Sequence, residues 1–294
     1  MSKKTLFTGA GTALITPFTE DGVNFESLGN IIEFQIENSV DALIICGTTG
    51  EAATMPDKEH LSVIEYAMKK VAGRIPVIAG TGSNDTAHCV ELSRGAQDLG
   101  VDGLLVTTPY YNKSTQKGLI MHFDKVLEKT NLPIILYNVP GRTGMQFKIE
   151  TIKELATDDR IVDVKEASGS LEYMTDLMCA CPELDVYSGN DDMILPLLAL
   201  GGKGVISVLS NVAPKETHDL CQKFFDGDIA GSRKLQLDYL ELIHALFCEV
   251  NPIPVKTAMN LMGFEAGNLR LPLCEMDEAN KNRLIAAMKE RGLI

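Results

Sequence analysis

A lysine stands at the end of a strongly apolar segment, Ile161–Lys165, and a loop of small residues follows it. The β-branched residues of this segment are typical of a buried parallel strand with apolar contacts on both faces. Burial disfavours the charged form of lysine, and a neutral amine forms Schiff bases with carbonyl compounds. The alternative is that the Lys165 side chain reaches solvent beyond the strand or pairs with Asp163 or Glu166.

Three groups that follow other predicted strands suit the same chemistry. Gly47–Glu51 combines glycines with two threonine hydroxyls, and the backbone N–H groups of such a loop can face an anion, although a tight strand-to-helix turn would look similar. Tyr137 places a phenol at a strand end, and Arg142 offers a fork that matches a carboxylate, unless it forms a surface ion pair. Together with Lys165, these groups predict a Schiff-base enzyme that acts on a keto acid.

Eight short apolar segments alternate with segments of helical periodicity, which predicts a (β/α)₈ TIM barrel. A doubly wound open sheet is the alternative, but no glycine-rich dinucleotide fingerprint follows the first segment. Active sites of such barrels lie at the carboxyl ends of the strands. The predicted strands are Ala10–Ile15, Ala42–Cys46, Pro76–Gly80, Gly103–Thr107, Pro133–Asn138, Ile161–Lys165, Asp185–Ser188 and Gly204–Val208. The predicted helices are Phe25–Ser39, Asp57–Val71, Ala87–Leu99, Gln116–Thr130, Ile149–Ala156, Leu171–Cys181, Asp192–Leu200 and Lys215–Phe225, with Asp85, Ser114 and Ser170 as N-caps.

The strand pattern stops after Asp226, and helical periodicity continues to the end of the chain. We expect one long helix over Ile229–Val250, a second that begins near Pro254, and a third that Asp277 caps. We therefore predict a catalytic barrel over residues 1–226 and a small C-terminal helical extension over residues 227–294.

Composition excludes several classes of protein. The net charge is −13 without a basic block, which argues against nucleic acid or an anionic membrane surface as a partner. No apolar segment is long enough to span a membrane. The seven cysteines are scattered, and only Cys179 and Cys181 lie close together. This spacing favours reduced thiols in a cytoplasmic protein over disulfides or a zinc site.

Three motifs resemble those of the dihydrodipicolinate synthase family, now called the 4-hydroxy-tetrahydrodipicolinate synthases. They are Gly47–Glu51, Tyr137–Gly144 and Val164–Ala167, and the resemblance extends over nearly the whole chain, including Asn251–Lys256. The lysine, the tyrosine and the glycine-rich loop are shared with N-acetylneuraminate lyase and the 2-keto-3-deoxy sugar-acid aldolases. The Gly-Arg-Thr-Gly sequence around Arg142 is more specific to the synthases, because the sugar-acid lyases usually have other residues there.

The resemblance implies a condensation of pyruvate with L-aspartate 4-semialdehyde in lysine and diaminopimelate biosynthesis, with no metal or organic cofactor. Lys165 would form the imine, and the backbone N–H groups of Thr48 and Thr49 would hold the pyruvate carboxylate. Arg142 would bind the semialdehyde. A proton relay would run through Tyr137, Thr48 and Tyr111, and the backbone of Gly189 and Ile206 would line the site. Asn190 stands where the family commonly has an aspartate, so any role that needs charge there is in doubt.

The resemblance also implies a homo-oligomer, a dimer or a tetramer, in which Tyr111 is shared across an interface. Some family members are inhibited by lysine in a cleft at the dimer interface. His88 stands where the lysine-sensitive members typically carry a carboxylate, and Ala52 replaces a residue that often bears a hydroxyl. We therefore expect lysine inhibition to be weak or absent. The matching positions are Ala52, Ala53, Asp57, His60, Asn84, His88 and Tyr110.

Two other functions remain open at this point. A sugar-acid or N-acetylneuraminate aldolase of the same superfamily would share Lys165 and Tyr137 but would need a different contact at Arg142. A barrel without catalytic activity, retained for ligand sensing, would have no need of Lys165, Tyr137 and Thr48 together.

Overall fold

Eight parallel strands close into a barrel in the computed structural model of the protein, which describes residues 3–294. Each strand pairs with the next along the chain, and the eighth pairs with the first. This confirms the (β/α)₈ barrel. The strands are β1 Gly9–Ala13, β2 Ala42–Ile45, β3 Val77–Gly80, β4 Gly103–Thr107, β5 Ile134–Asn138, β6 Ile161–Glu166, β7 Asp185–Ser188 and β8 Gly204–Ser207. A short antiparallel hairpin, Phe18–Thr19 with Gly22–Val23, lies outside the barrel and was not predicted.

The helices between the strands form the outer layer of the barrel. Their apolar faces pack on the strands, most of them in one large hydrophobic cluster and parts of α7 and α8 in a smaller one, as the helical periodicity predicted. They are α1 Phe25–Glu37, α2 Asp57–Val71, α3 Thr86–Asp98, α4 Gln116–Leu127, α5 Ile149–Leu155, α6 Leu171–Ala180, α7 Ile194–Ala199 and α8 Pro214–Phe225. Asp85 and Ser170 cap helices as predicted. Ser114 was the wrong cap, because the neighbouring Thr115 hydroxyl accepts the hydrogen bond from the Gly118 N–H.

The C-terminal extension contains four helices: α9 Ile229–Asp238, α10 Leu240–Leu246, α11 Ile253–Leu261 and α12 Glu278–Glu290. The single helix expected over Ile229–Val250 was wrong, because the chain bends at Tyr239. The bend lets α10 bury Leu242 and Leu246 against α12. The apolar side chains of the extension join the same cluster as the barrel. Residues 1 and 2 of the proposed barrel domain lie outside the described residues, and the division at residues 226 and 227 stays a prediction.

The amino-terminal segment closes the lower end of the barrel. Phe7 stacks on the ring of Tyr187, with ring centroids 4.3 Å apart, and the Tyr187 hydroxyl donates to the Phe7 carbonyl at 2.5 Å. Both side chains belong to the apolar cluster that fills the barrel interior. The site above this floor is therefore open to solvent at the carboxyl end of the strands. Within residues 3–294, no helix is long and apolar enough to cross a membrane.

A carboxyl group lies in this interior without a partner. Asp163 is on β6, two residues before Lys165, and it is fully buried. Neither of its side-chain oxygens makes a hydrogen bond to the described residues. Burial raises the pKa of Asp163 to about 8, and the nearby charge of Asp185 adds to the shift. The folded protein therefore holds Asp163 in its neutral form at pH 7.

We predict that Asp163→Asn removes a pH-dependent loss of stability. The unfolded chain releases this proton near pH 3.8 and the folded chain near pH 8. The free energy of unfolding of the parent protein should therefore fall across that range, by up to about 1.4 kcal/mol per pH unit. Denaturant unfolding from pH 5 to pH 8 should show the variant gaining stability over the parent as the pH rises.

The exposed Asp124 provides the control, since Asp124→Asn should leave the pH dependence unchanged. A stability difference between Asp163→Asn and the parent that stays constant with pH would contradict the account.

Candidate active site

Lys165 lies inside the barrel at the carboxyl end of β6. Its backbone is in register with Tyr137 on β5 and Tyr187 on β7. Its Nζ atom lies 4.3 Å from the centroid of the Tyr137 ring, and the residue is only 6 % exposed. The strand pattern placed this side chain correctly, and the alternative of a lysine that reaches solvent is wrong.

The environment of Lys165 favours the neutral amine. Burial lowers its pKa to about 7, the charge of Asp191 raises it again in part, and the charge of Arg142 lowers it further. Lys165 pairs with neither Asp163 nor Glu166. Asp163 is without a partner, and Glu166 accepts hydrogen bonds from the Asn138 side chain and the Ser168 N–H. A substantial fraction of the Lys165 side chains is therefore nucleophilic at neutral pH.

Tyr137 stands beside the amine as a phenol that keeps its proton. Burial raises the pKa of Tyr137 to about 12, while the charge of Arg142 and the hydroxyl of Thr48 oppose the shift in part. A protonated phenol next to an amine can donate a proton to a leaving hydroxyl group and take it back later. Thr48 and Tyr137 line one cavity of about 410 Å³.

The loop after β2 presents two free backbone donors. The N–H groups of Gly50 and Glu51 donate to the carbonyls of Gly47 and Thr48 at 3.1 Å. The N–H groups of Thr48 and Thr49 donate to no acceptor among residues 3–294. Two adjacent free N–H groups form a site for an anion such as a carboxylate. The role of this turn as an anion site stays a prediction.

Asn251, between α10 and α11 of the extension, contacts two of the predicted binding residues. Its side-chain amide donates to the Thr49 hydroxyl at 3.0 Å. Its backbone carbonyl accepts a hydrogen bond from the Arg142 guanidinium at 3.0 Å. Arg142 itself is exposed on a single helical turn, Pro140–Thr143, and it lines the same cavity as Thr48. The alternative of an Arg142 surface ion pair is wrong, because its described contact is this carbonyl.

Gly189 lies next to the lysine, and the place of Ile206 in the site stays a prediction. A Cβ atom at Gly189 would lie 2.5 Å from the Cβ atom of Ala167 and 3.1 Å from the Cε atom of Lys165, so only glycine fits there. Ile206 is buried on β8, in the cluster that contains Tyr137. Asn190 is half-buried next to this group, and its backbone forms a turn with the Ser188 hydroxyl.

Asp191 is a buried acid near the lysine that was not among the predicted site residues. Its carboxylate accepts hydrogen bonds from the N–H groups of Val208 and Leu209 at 3.0 and 2.9 Å. It is 2 % exposed, and its other oxygen has no partner in the described chain. Among the charged groups around Lys165, Asp191 has the largest effect, and it raises the pKa of the amine. Its position after the seventh strand was the one available signal.

The described residues contain no group of three or more histidine, cysteine, aspartate or glutamate side chains placed to hold a metal ion.

The sequence profile of the dihydrodipicolinate synthetase family matches residues 6–291. The chain belongs to this family. The 4-hydroxy-tetrahydrodipicolinate synthase of Acetivibrio thermocellus is 57 % identical over 99 % of this chain and 100 % of its own length. The crystal structure of dihydrodipicolinate synthase from Thermotoga maritima has a TM-score of 0.96 at 43 % identity, and covers 99 % of this chain and 100 % of that one. The Acinetobacter baumannii enzyme, solved in complex with pyruvate, has a TM-score of 0.96 at 41 % identity with the same coverage.

One residue that the family resemblance places in the proton relay stands apart from the rest of the site. Tyr111 is 93 % exposed and has a left-handed backbone with φ of 65°. Such a conformation is uncommon for a bulky residue and is concentrated at functional sites. A fully exposed tyrosine on a strained loop is suited to reach into a second subunit. Its place across an interface stays a prediction.

Six of the seven positions that the resemblance matches to a lysine-binding cleft, all but Asn84, line the cavity that Thr48, Tyr137 and Arg142 also line. They include Ala52, Asp57, His88 and Tyr110. The Asp57 carboxylate contacts the imidazole of His88 at 2.8 Å, so the acid that could compensate for the missing carboxylate already has a partner. Weak or absent lysine inhibition therefore stays the prediction.

Proposed function

We propose that this chain is a Schiff-base-forming 4-hydroxy-tetrahydrodipicolinate synthase, a lyase that condenses pyruvate with L-aspartate 4-semialdehyde. One observation carries the proposal: a buried lysine with a pKa of about 7 lies beside a protonated phenol. The free N–H groups of the Thr48–Thr49 turn and the guanidinium of Arg142 supply two anion-binding positions, and Thr48, Tyr137 and Arg142 line one cavity. Both substrates are carboxylates, and each therefore has a complementary group.

The first half of the reaction uses pyruvate alone. The neutral amine of Lys165 attacks the ketone carbon while the N–H groups of the Thr48–Thr49 loop hold the carboxylate. Tyr137 gives a proton to the departing hydroxyl, water leaves, and an iminium forms. The iminium draws electrons from the methyl group, so transfer of one methyl proton to the Tyr137 phenolate produces an enamine and restores the phenol. The pyruvate complex of the Acinetobacter relative supports pyruvate as the substrate that the site accepts.

The second half uses the semialdehyde. Arg142 holds its carboxylate, which directs the aldehyde carbon toward the enamine. The enamine carbon forms the new carbon–carbon bond, and the aldehyde oxygen takes a proton through the relay of Tyr137, Thr48 and Tyr111. The amine of the semialdehyde then displaces Lys165 from the iminium carbon and closes the ring. Lys165 is released as the free amine, ready for another cycle.

The working unit in this proposal is a cytoplasmic homo-oligomer, a dimer or a tetramer, because a relay through Tyr111 needs a second subunit. The exposure of Tyr111 and its strained backbone support this arrangement.

We predict that pyruvate with borohydride labels Lys165 and abolishes activity, and peptide mass mapping checks the position. Lys256 is an internal control, since it is just as buried but its Nζ atom donates to Glu51 and to the Asn268 carbonyl. Burial lowers the pKa of Lys256, but the ion pair with Glu51 opposes that shift and engages the amine, so we expect no attack on a ketone there. Labelling of Lys256 or Lys203 with Lys165 unmodified would refute the assignment.

We predict that Arg142→Ala separates the two half-reactions. The variant should still trap pyruvate on Lys165, because the imine forms before the semialdehyde binds. It should lose about ten- to a hundredfold in kcat/KM for the semialdehyde, as expected for one lost charge-assisted contact. Arg142→Lys retains the charge but lacks the two-pronged guanidinium, so its kcat/KM for the semialdehyde should lie between those of the parent enzyme and Arg142→Ala. Near-normal efficiency of Arg142→Ala with the semialdehyde would favour a sugar-acid aldolase instead.

We predict that inactive Lys165→Ala and inactive Tyr111→Phe protomers restore activity when mixed. In a mixed dimer, the intact Tyr111 of one subunit would serve the intact Lys165 of the other. Steady-state assays of mixed and unmixed preparations, with subunit exchange verified by native mass spectrometry, measure this. Verified mixed dimers without activity would count against a shared tyrosine.

A further inference from the structure

An ion pair is buried between the barrel and the C-terminal extension. The Lys256 Nζ atom lies 2.7 Å from the Glu51 Oε1 atom, and both side chains are 1 % exposed. The desolvation of two such charges can exceed their attraction, and apolar residues of similar size often give a more stable protein. A contribution to stability is therefore a weak explanation for the pair. Its position beside the Gly47–Glu51 loop suggests a different role.

Glu51 is the last residue of the loop that presents the free N–H groups of Thr48 and Thr49. Its backbone has φ of 55°, in the left-handed region that favours glycine. A non-glycine residue keeps this conformation only where its surroundings hold it. Glu51 is held at both oxygens, since Oε1 contacts Lys256 and Oε2 accepts a hydrogen bond from the Arg270 N–H at 3.0 Å.

Lys256 is fixed on the side of the extension. It lies on α11, and its Nζ atom also donates to the Asn268 carbonyl at 2.8 Å and lies 4.2 Å from the centroid of the Phe18 ring. The Arg270 guanidinium lies 3.9 Å from the same centroid and pairs with Glu59 on α2. The cation that contacts Glu51 is therefore fixed by contacts of its own, which do not involve the loop.

We infer that the Lys256–Glu51 pair is a positioning device for substrate binding, which sets the backbone of the loop so that the Thr48 and Thr49 N–H groups face the pyruvate carboxylate. This rests on the proposed function. The N–H groups bind the carboxylate equally in the Michaelis complex, the iminium and the later transition states. Loss of such uniform binding raises KM and leaves kcat unchanged.

The test compares Glu51→Gln with the parent enzyme in steady-state kinetics. Glutamine has the same shape and keeps an acceptor, but it removes the charge that fixes the loop to Lys256. The KM for pyruvate should rise by about tenfold or more, as for one weakened hydrogen bond to a charged group, and kcat should stay within about twofold. Saturating pyruvate with borohydride should still label Lys165 fully.

A matched control is available in the same extension. Glu241 pairs with Arg283 at 2.8 Å, but both side chains are largely exposed. Glu241→Gln should leave the KM for pyruvate unchanged, since this pair touches no part of the loop.

A double variant, Glu51→Gln with Lys256→Met, keeps the inference testable if Glu51→Gln does not fold. It leaves no unpaired buried charge, and it should fold and show the same rise in KM with kcat retained. An unchanged KM in either folded variant, or a fall in kcat alone, would overturn the inference. A double variant that does not fold would also overturn it, because the pair would then maintain the fold itself.

The inference and the proposed function fail in different ways. A parent enzyme that traps no pyruvate on Lys165 refutes the proposed function. A parent enzyme that traps pyruvate, with folded variants whose KM is unchanged, refutes only the role of the ion pair.

Discussion

The removal of water from the Lys165 amine is the constraint on which the rest of the site depends. Two lysines of the described chain are deeply buried, and burial lowers the pKa of both. Glu51 opposes this shift at Lys256 through a direct ion pair, whereas Lys165 faces an aromatic ring and has only the more indirect influence of Asp191. Burial thus acts on both lysines, and their different charged neighbours leave Lys256 in an ion pair and Lys165 as the candidate nucleophile.

The barrel maintains this dry environment through several long-range contacts. Phe7 and Tyr187 close the floor, and the absence of a side chain at Gly189 lets the backbone approach the lysine closely. At the carboxyl end of the strands, Asn251 contacts the Thr49 hydroxyl through its side-chain amide and the Arg142 guanidinium through its backbone carbonyl. A residue outside the barrel therefore holds the two proposed anion-binding positions relative to each other.

The sequence predicted the features that depend on local pattern. Apolar segments bounded by Gly, Pro or Thr identified all eight strands, and the ends of these strands identified Lys165, Tyr137 and the Gly47–Glu51 loop. The break at Tyr239 was missed because both halves of Ile229–Val250 share one helical period, and tertiary packing decides where the helix bends. The contacts of Asp191, and the pairing of Glu51 with Lys256 across 205 residues, were invisible because no local pattern encodes such contacts.

A direct titration of the Lys165 side chain tests the account most directly. Lysines labelled with ¹³C at Cε can be followed by NMR across about pH 5 to pH 11 in the free enzyme, with Lys165→Met to assign the signal. The account predicts one signal, absent from the variant, that titrates near pH 7. Titration of that signal near the ordinary lysine value of 10.5 would contradict it, because the amine would then be charged at neutral pH and could not begin the reaction.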